Sequence, residues 1–177
     1  MRKLILSVFG LTFLVLAAPG CKRKQPVKVE VIEEEAPKLA TMLHVADPKA
    51  AIQLVKGFYE LEQNTWRWTA GRFAVALRPP RGASDRGAVL QLRLVVADAV
   101  IDRLKSMTLK SRAGKQEFAP ETYTKAGQYV YSRDVPASLL GGEVVTFEFQ
   151  VDKALPPGAV EQRELALIVT TVGLELK

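Results

Sequence analysis

An all-β fold, an antiparallel β-sandwich of jelly-roll type with about eight or nine strands, is what this sequence of 177 residues predicts. Two observations carry that expectation. From about Ile52 onward, apolar side chains recur at every second position in run after run. That is the pattern of strands with one face on a core and the other in water. Gly- and Pro-rich turns separate the runs at short intervals, and nothing calls for a long amphipathic helix. Without βαβ spacing a parallel sheet is disfavoured, and a closed barrel is the alternative to the sandwich.

Taken in order, the chain divides into a signal peptide (1–20), a flexible tether (21–51) and the sandwich domain (52–177). Arg2 and Lys3 precede a stretch, Leu4 to Ala18, in which only Ser7 and Thr12 are polar, and Ala18-Pro19-Gly20 leads into the single cysteine, Cys21. A basic start, an apolar segment and a small-residue exit form the pattern of a secretory signal. The run Leu14-Val15-Leu16-Ala17-Ala18-Pro19-Gly20-Cys21 resembles the lipobox of bacterial lipoproteins, with Ala18 where that family usually has Leu. The resemblance implies cleavage before Cys21, acylation of its thiol by a diacylglyceryl group and usually acylation of the new amine. Palmitate-type chains at Cys21 would anchor the protein to the lipid bilayer, since two or more acyl chains suffice for stable attachment. The implied address is the bacterial cell envelope, either the outer membrane or the periplasmic face of the inner membrane. Two other readings stay open. Cys21 is then an ordinary small residue after a conventional cleavage site, or Leu4 to Gly20 persists as an uncut anchor at the short limit for spanning.

Removing Arg2 and Lys3 leaves 23 basic against 19 acidic residues, a side-chain balance of +4, with the two signs interspersed. No basic stripe or recognition motif points to nucleic acid. With Cys21 acylated no thiol is left for a disulfide, so packing alone must hold the domain. Lys22, Arg23 and Lys24 follow Cys21, and the acidic run Glu33-Glu34-Glu35 comes later. Basic residues beside a lipid anchor either rest on anionic headgroups or simply solvate a linker. Pro26 and Pro37 disfavour a helix there, and the segment Ala36 to Ala46 is expected to dock as a short helix or to lie along the domain. The lone His44 beside Asp47 is no metal cluster, so no metal or cofactor is expected. Asp47-Pro48 reads as the start of a helical turn.

Within the domain, Phe73, Val75 and Leu77 alternate with polar or small residues until Pro79-Pro80 stops the strand. Leu90, Leu92 and Leu94 form a second run, Met107 and Leu109 a third, Tyr129 and Tyr131 a fourth, and Val145, Phe147, Phe149 and Val151 the clearest. From Glu164 to Leu176 the large apolar residues switch from odd to even positions, which predicts a bulge or bend near Thr170-Thr171 or a strand buried on both faces. Val100 to Leu104 and Pro136 to Leu140 are expected to form short helical turns.

The densest constellation is Gly57-Phe58-Tyr59-Glu60-Leu61-Glu62 through Trp66-Arg67-Trp68. In a strand Trp66 and Trp68 share one face. Pointing outward they would make a sugar-stacking platform, and pointing inward they are core. Tyr129 and Tyr131 are further candidate ligand or structural aromatics. Glu62 and Arg163 form either one ion pair across the sandwich or separate surface charges. Glu60 and Glu62, one strand step apart, are poorly placed to flank a scissile bond, and with His44 outside the domain no Ser-His-Asp set exists. The motifs Gly57 to Glu62, Trp66-Arg67-Trp68-Thr69 and Arg163-Glu164-Leu165 together resemble β-sandwich domains of exported bacterial proteins and of glycosyltransferase appendages. Here Ala166 stands where Gly is more usual. That resemblance implies no site residue, and its neighbourhood suggests carbohydrate only by association. The expected function is therefore non-catalytic: a binding or structural module that meets an envelope protein. A carbohydrate-binding module using exposed aromatics is the alternative, and a carboxylate-based hydrolase is a remote third.

Overall fold

The computed structural model describes residues 38–158 and 161–177. Cys21, the signal segment and most of the expected tether lie outside them. Nine strands are described: β1 (Met42–His44), β2 (Leu54–Glu62), β3 (Trp66–Leu77), β4 (Ala88–Val96), β5 (Met107–Ala113), β6 (Gln116–Tyr123), β7 (Gly127–Val135), β8 (Val145–Val151) and β9 (Ile168–Leu176). Helix α1 (Ala83–Arg86) follows Pro79-Pro80, α2 (Asp98–Leu104) joins β4 to β5, and 3₁₀ turns occupy Pro48–Gln53 and Ala137–Leu139. The strands pair antiparallel in the order β6-β5-β8-β3-β9-β4-β7, with β1 on β9 and β2 on β3.

That one hydrogen-bonded path folds over on itself, and β3 is the strand shared by both layers. Arg72 to Leu77 of β3 pair with β8, whereas Arg67 and Trp68 pair with Val169 and Ile168 of β9. On its other side β3 carries β2, whose register moves from Lys56↔Ala74 to Phe58↔Thr69. The inner strand thus advances two residues while β3 takes five. The short cut passes through Gly57, at φ 74. A Cβ there would lie 2.8 Å from the Phe73 Cα, so both the conformation and the close approach require glycine.

Inward residues of both layers make one core. Phe73, Phe147, Phe149, Leu90, Leu92 and Leu109 are all buried. The Phe73 and Phe149 rings stack at 4.8 Å, and Tyr131 of β7 meets Phe149 edge-on at 6.4 Å. The Tyr131 hydroxyl lies 2.8 Å from Ser111 Oγ of β5, joining strands near opposite ends of the path. This contact shows that the two layers face each other. Along the rim Arg133 of β7 pairs with Glu121 of β6 at 3.0 Å, which dresses two edge strands with charge.

The alternation, the helical turns and the C-terminal irregularity all take the expected places. In β9, Arg93↔Thr171 is followed by Leu94↔Val169, which leaves Thr170 as the extra residue of a bulge. One boundary differs. The tether was expected to run to residue 51, yet Met42 to His44 pair with Gly173 to Thr171 of β9, and Leu43 and Val45 are buried. The strand fits because position 173 is glycine: a Cβ there would come within 2.7 Å of the Met42 Cα and the Thr41 oxygen. Strands β2 and β6 lacked clean alternation, the first because of its shifts in register against β3 and the second because of Pro120.

Buried Gln53 fastens the start of the domain. Its Oε1 accepts from the Ala40 amide at 2.8 Å, and its Nε2 donates to the carbonyls of Ala40 (3.1 Å) and Ala76 (2.7 Å). One side chain thereby replaces a rung of backbone ladder between residue 40 and β3. Gln53→Ala strands a buried amide and removes a donor from two carbonyls, and should cost about 2–3 kcal/mol in urea unfolding. A loss under about 0.5 kcal/mol, the range of ordinary surface substitutions, would show that residues 38–41 are held by other means.

Candidate functional site

The structure brings some of the candidate residues together, but not as a platform. Trp66 and Trp68 touch at 6.1 Å with their planes at 82°, and both are half-buried, Trp68 against the core. Edge-to-face indoles offer no flat double surface for a sugar ring. Arg67, on the opposite side of the strand, donates to the carbonyls of Val45 (3.0 Å) and Tyr59 (2.9 Å). Tyr131 is wholly buried, and Tyr129 packs on Tyr123 at 4.7 Å while its hydroxyl donates to the Lys125 carbonyl. Both tyrosines lie on the inward face of β7, with the exposed Val130 between them facing out. As ligand aromatics they are therefore replaced by a structural role.

Glu62 and Arg163 lie 2.8 Å apart, and Arg163 also binds Glu161 at 2.8 Å. The guanidinium sits 5.3 Å from the Tyr59 ring centroid. Glu62 is held there by a tight turn: Gln63 and Asn64 both have positive φ, and the Thr65 amide donates back to the Glu62 carbonyl. Hydrogen bonds from the Arg163 side chain and then its backbone amide push the Glu161 carboxyl down to about 2, and the same partner raises Arg163. This network ties the segment before β9 to the β2–β3 hairpin. His44, at the end of β1, has its Nδ1 3.3 Å from Thr171 Oγ1.

The better candidate lies on the outer face of β2, β3, β8, β5 and β6. Register places Arg72, Gln150 and Lys110 in one cross-strand row. The next row runs Lys56, Ala74, Glu148, Arg112 and Glu117. Ala74 is small, so Lys56 reaches across it to Glu148 at 3.5 Å, and Arg112 Nε donates to the same carboxylate at 2.6 Å. Arg112, above all, holds Glu148 below the usual carboxylate range. Arg72 and Lys110 are exposed, and their side chains make no hydrogen bond or ion pair with any described residue. Together these side chains border a groove of about 460 Å³.

On the β6 side the groove is bounded by Phe118 and Pro120. The register there moves from Ser111↔Phe118 to Leu109↔Glu121, so β6 carries an extra residue, and Pro120 sits where no ladder amide is required. The freed Ala119 carbonyl accepts from the Tyr131 hydroxyl at 3.1 Å. A second hollow of about 360 Å³, bordered by Gly71, Asp152, Lys153 and Glu164, adjoins the groove at Arg72. The outward charges of β3, β5 and β8 could be read from alternation. That these three strands are neighbours could not, because chain order places β4 between β3 and β5.

The Glu161–Arg163 pair has a pH signature. The folded carboxyl value lies below that of the unfolded chain, about 4.3. Its stabilising contribution is therefore complete above that value, and is lost as pH falls toward 2. Carbon-detected NMR should find Glu161 titrating near pH 2, and Arg163→Gln should return it to the ordinary glutamate range. An unchanged midpoint in that variant would assign the shift to another cause.

No family model matches this chain, and no curated protein matches it either. Among solved structures, one of a CBM4 carbohydrate-binding module is similar over 81% of this chain and 90% of its own, with 11% sequence identity and a TM-score of 0.36. At that level of similarity the likeness bears on neither ligand nor activity.

Proposed function

We propose that this chain is a lipid-anchored module of the bacterial cell envelope that binds rather than catalyses, and that its binding surface is the groove along β3, β8 and β5. The anchor part rests on the sequence from Arg2 to Cys21. The single observation behind the binding part is the exposed pair Arg72 and Lys110, whose side chains have no partner among the described residues, at the border of a concave sheet face. Charged groups left without intramolecular partners around a concavity are available to a ligand at little reorganisation cost. A non-catalytic role is supported by what borders the groove. Glu148 is held ionised by Arg112 and Lys56 and is unsuited to donate a proton, and among the described residues no His or Cys borders the groove. The half-buried Trp66–Trp68 pair is assigned to structure.

Two measurements test this reading. Cys21→Ser should move the protein from the membrane to the soluble fraction and abolish incorporation of labelled palmitate, and retention in the membrane with the label still incorporated would overturn the anchor. On an envelope-glycan array, the full-length Cys21→Ser chain should lose binding when Arg72→Glu and Lys110→Glu are added, and keep it with Trp66→Ala. The opposite pattern would return the site to the tryptophans.

A further inference from the structure

The chemistry of the groove narrows what it can hold. This step rests on reading the groove as the binding site. Four cations, Lys56, Arg72, Lys110 and Arg112, face two carboxylates, Glu117 and Glu148. Glu148 is already met by Lys56 and Arg112, so the positive charge without an internal partner sits on Arg72 and Lys110. They stand one strand to either side of Gln150, roughly 10 Å apart at ordinary strand spacing. Arg72 can take a carboxylate or phosphate through paired N–H groups, and Lys110 adds a mobile point charge. Between them the Gln150 amide offers donors and an acceptor together, which suits hydroxyl groups better than a second anion.

We propose that the groove binds an acidic saccharide chain, with anionic groups at Arg72 and Lys110 and a hydroxyl-bearing sugar over Gln150. The exposed Pro120 supplies an apolar edge for the C–H face of a ring, while the Phe118 ring beside it packs inward on Phe147. A chain fits better than a single ion because the second hollow continues the depression past Arg72. Asp152 there accepts from the Thr108 amide at 2.7 Å and Glu164 from the Gly71 amide at 3.2 Å, so both carboxylates are engaged by backbone. A membrane surface is a poorer occupant: the exposed large apolar side chains Ile52, Val55, Val130 and Val144 all lie outside the groove.

The test uses titration calorimetry of the full-length Cys21→Ser chain at low salt. The ligands are oligogalacturonate, a phosphorylated oligomannose, a neutral β-glucan oligomer and oligoglutamate. One or both acidic saccharides should bind, and which of them does separates carboxylate from phosphate as the anion. Arg72→Gln and Lys110→Gln should each weaken that binding about tenfold, as loss of a hydrogen bond to a charged group does. Binding should also fall as salt screens these exposed charges. Both residues are exposed, so thermal unfolding of the two variants should match the parent and separate lost binding from lost fold. Failure of both acidic saccharides to bind overturns the proposal, as does equal or tighter binding of oligoglutamate. A neutral glucan that binds and is lost in the two variants would keep the groove but overturn the acidic ligand. Acidic saccharide binding that survives both substitutions would overturn the groove itself.

Discussion

Backbone hydrogen bonding along β3 is the constraint on which the rest of this structure depends. A strand that passes from one layer to the other must keep its amides and carbonyls paired while its neighbour changes from β9 to β8. The change happens within a few residues, between Trp68 and Arg72. On the inside of the bend β2 must follow β3 over a shorter path, and it does so by passing through Gly57 directly against Phe73. Position 71 is also glycine, with its amide bonded to Glu164 from the segment before β9. Three parts of the chain distant in sequence therefore meet at one corner.

The grooved face follows from that corner. Arg72 is the first residue of β3 paired with β8, so it opens the cross-strand row that continues through Gln150 and Lys110. Beside it, the small side chain of Ala74 allows Lys56 and Glu148 to close over the sheet. Polar side chains elsewhere hold the frame. Gln53 attaches the start of the domain, Arg163 attaches the segment before β9, and the Tyr131–Ser111 bond joins the layers. In a core without disulfides, each is a directional contact that selects one packing among those that hydrophobic burial alone would permit.

How much was legible varied with the physics behind each signal. Alternation in Phe73 to Leu77 and Val145 to Val151 is local, because a half-buried strand must place every second residue inward whatever its partner. The switch of phase at Thr170 was legible for the same reason. Strand β1 was not, since three residues are too few to show a period and its docking depends on Gly173 lying beneath it. Strand β6 hid behind Pro120, which alternation rules reject unless a bulge is allowed for. For the aromatic candidates both a core and a ligand role stayed open, because shared direction along a strand does not decide which way that face looks. Tyr131 turned inward, and the two indoles met edge to face.

By itself, then, the sequence determined the antiparallel all-β class, the strands with clean alternation and the charge pattern of their outward faces, because these depend on residues a few positions apart. Tertiary structure decided which outward faces adjoin. Arg72, Lys110 and Gln150 come from strands separated by dozens of residues, and only the pairing of β8 between β3 and β5 sets them in one row. Side-chain direction is a local property of a strand, whereas the neighbours of a side chain are set by strand order, which no local period encodes.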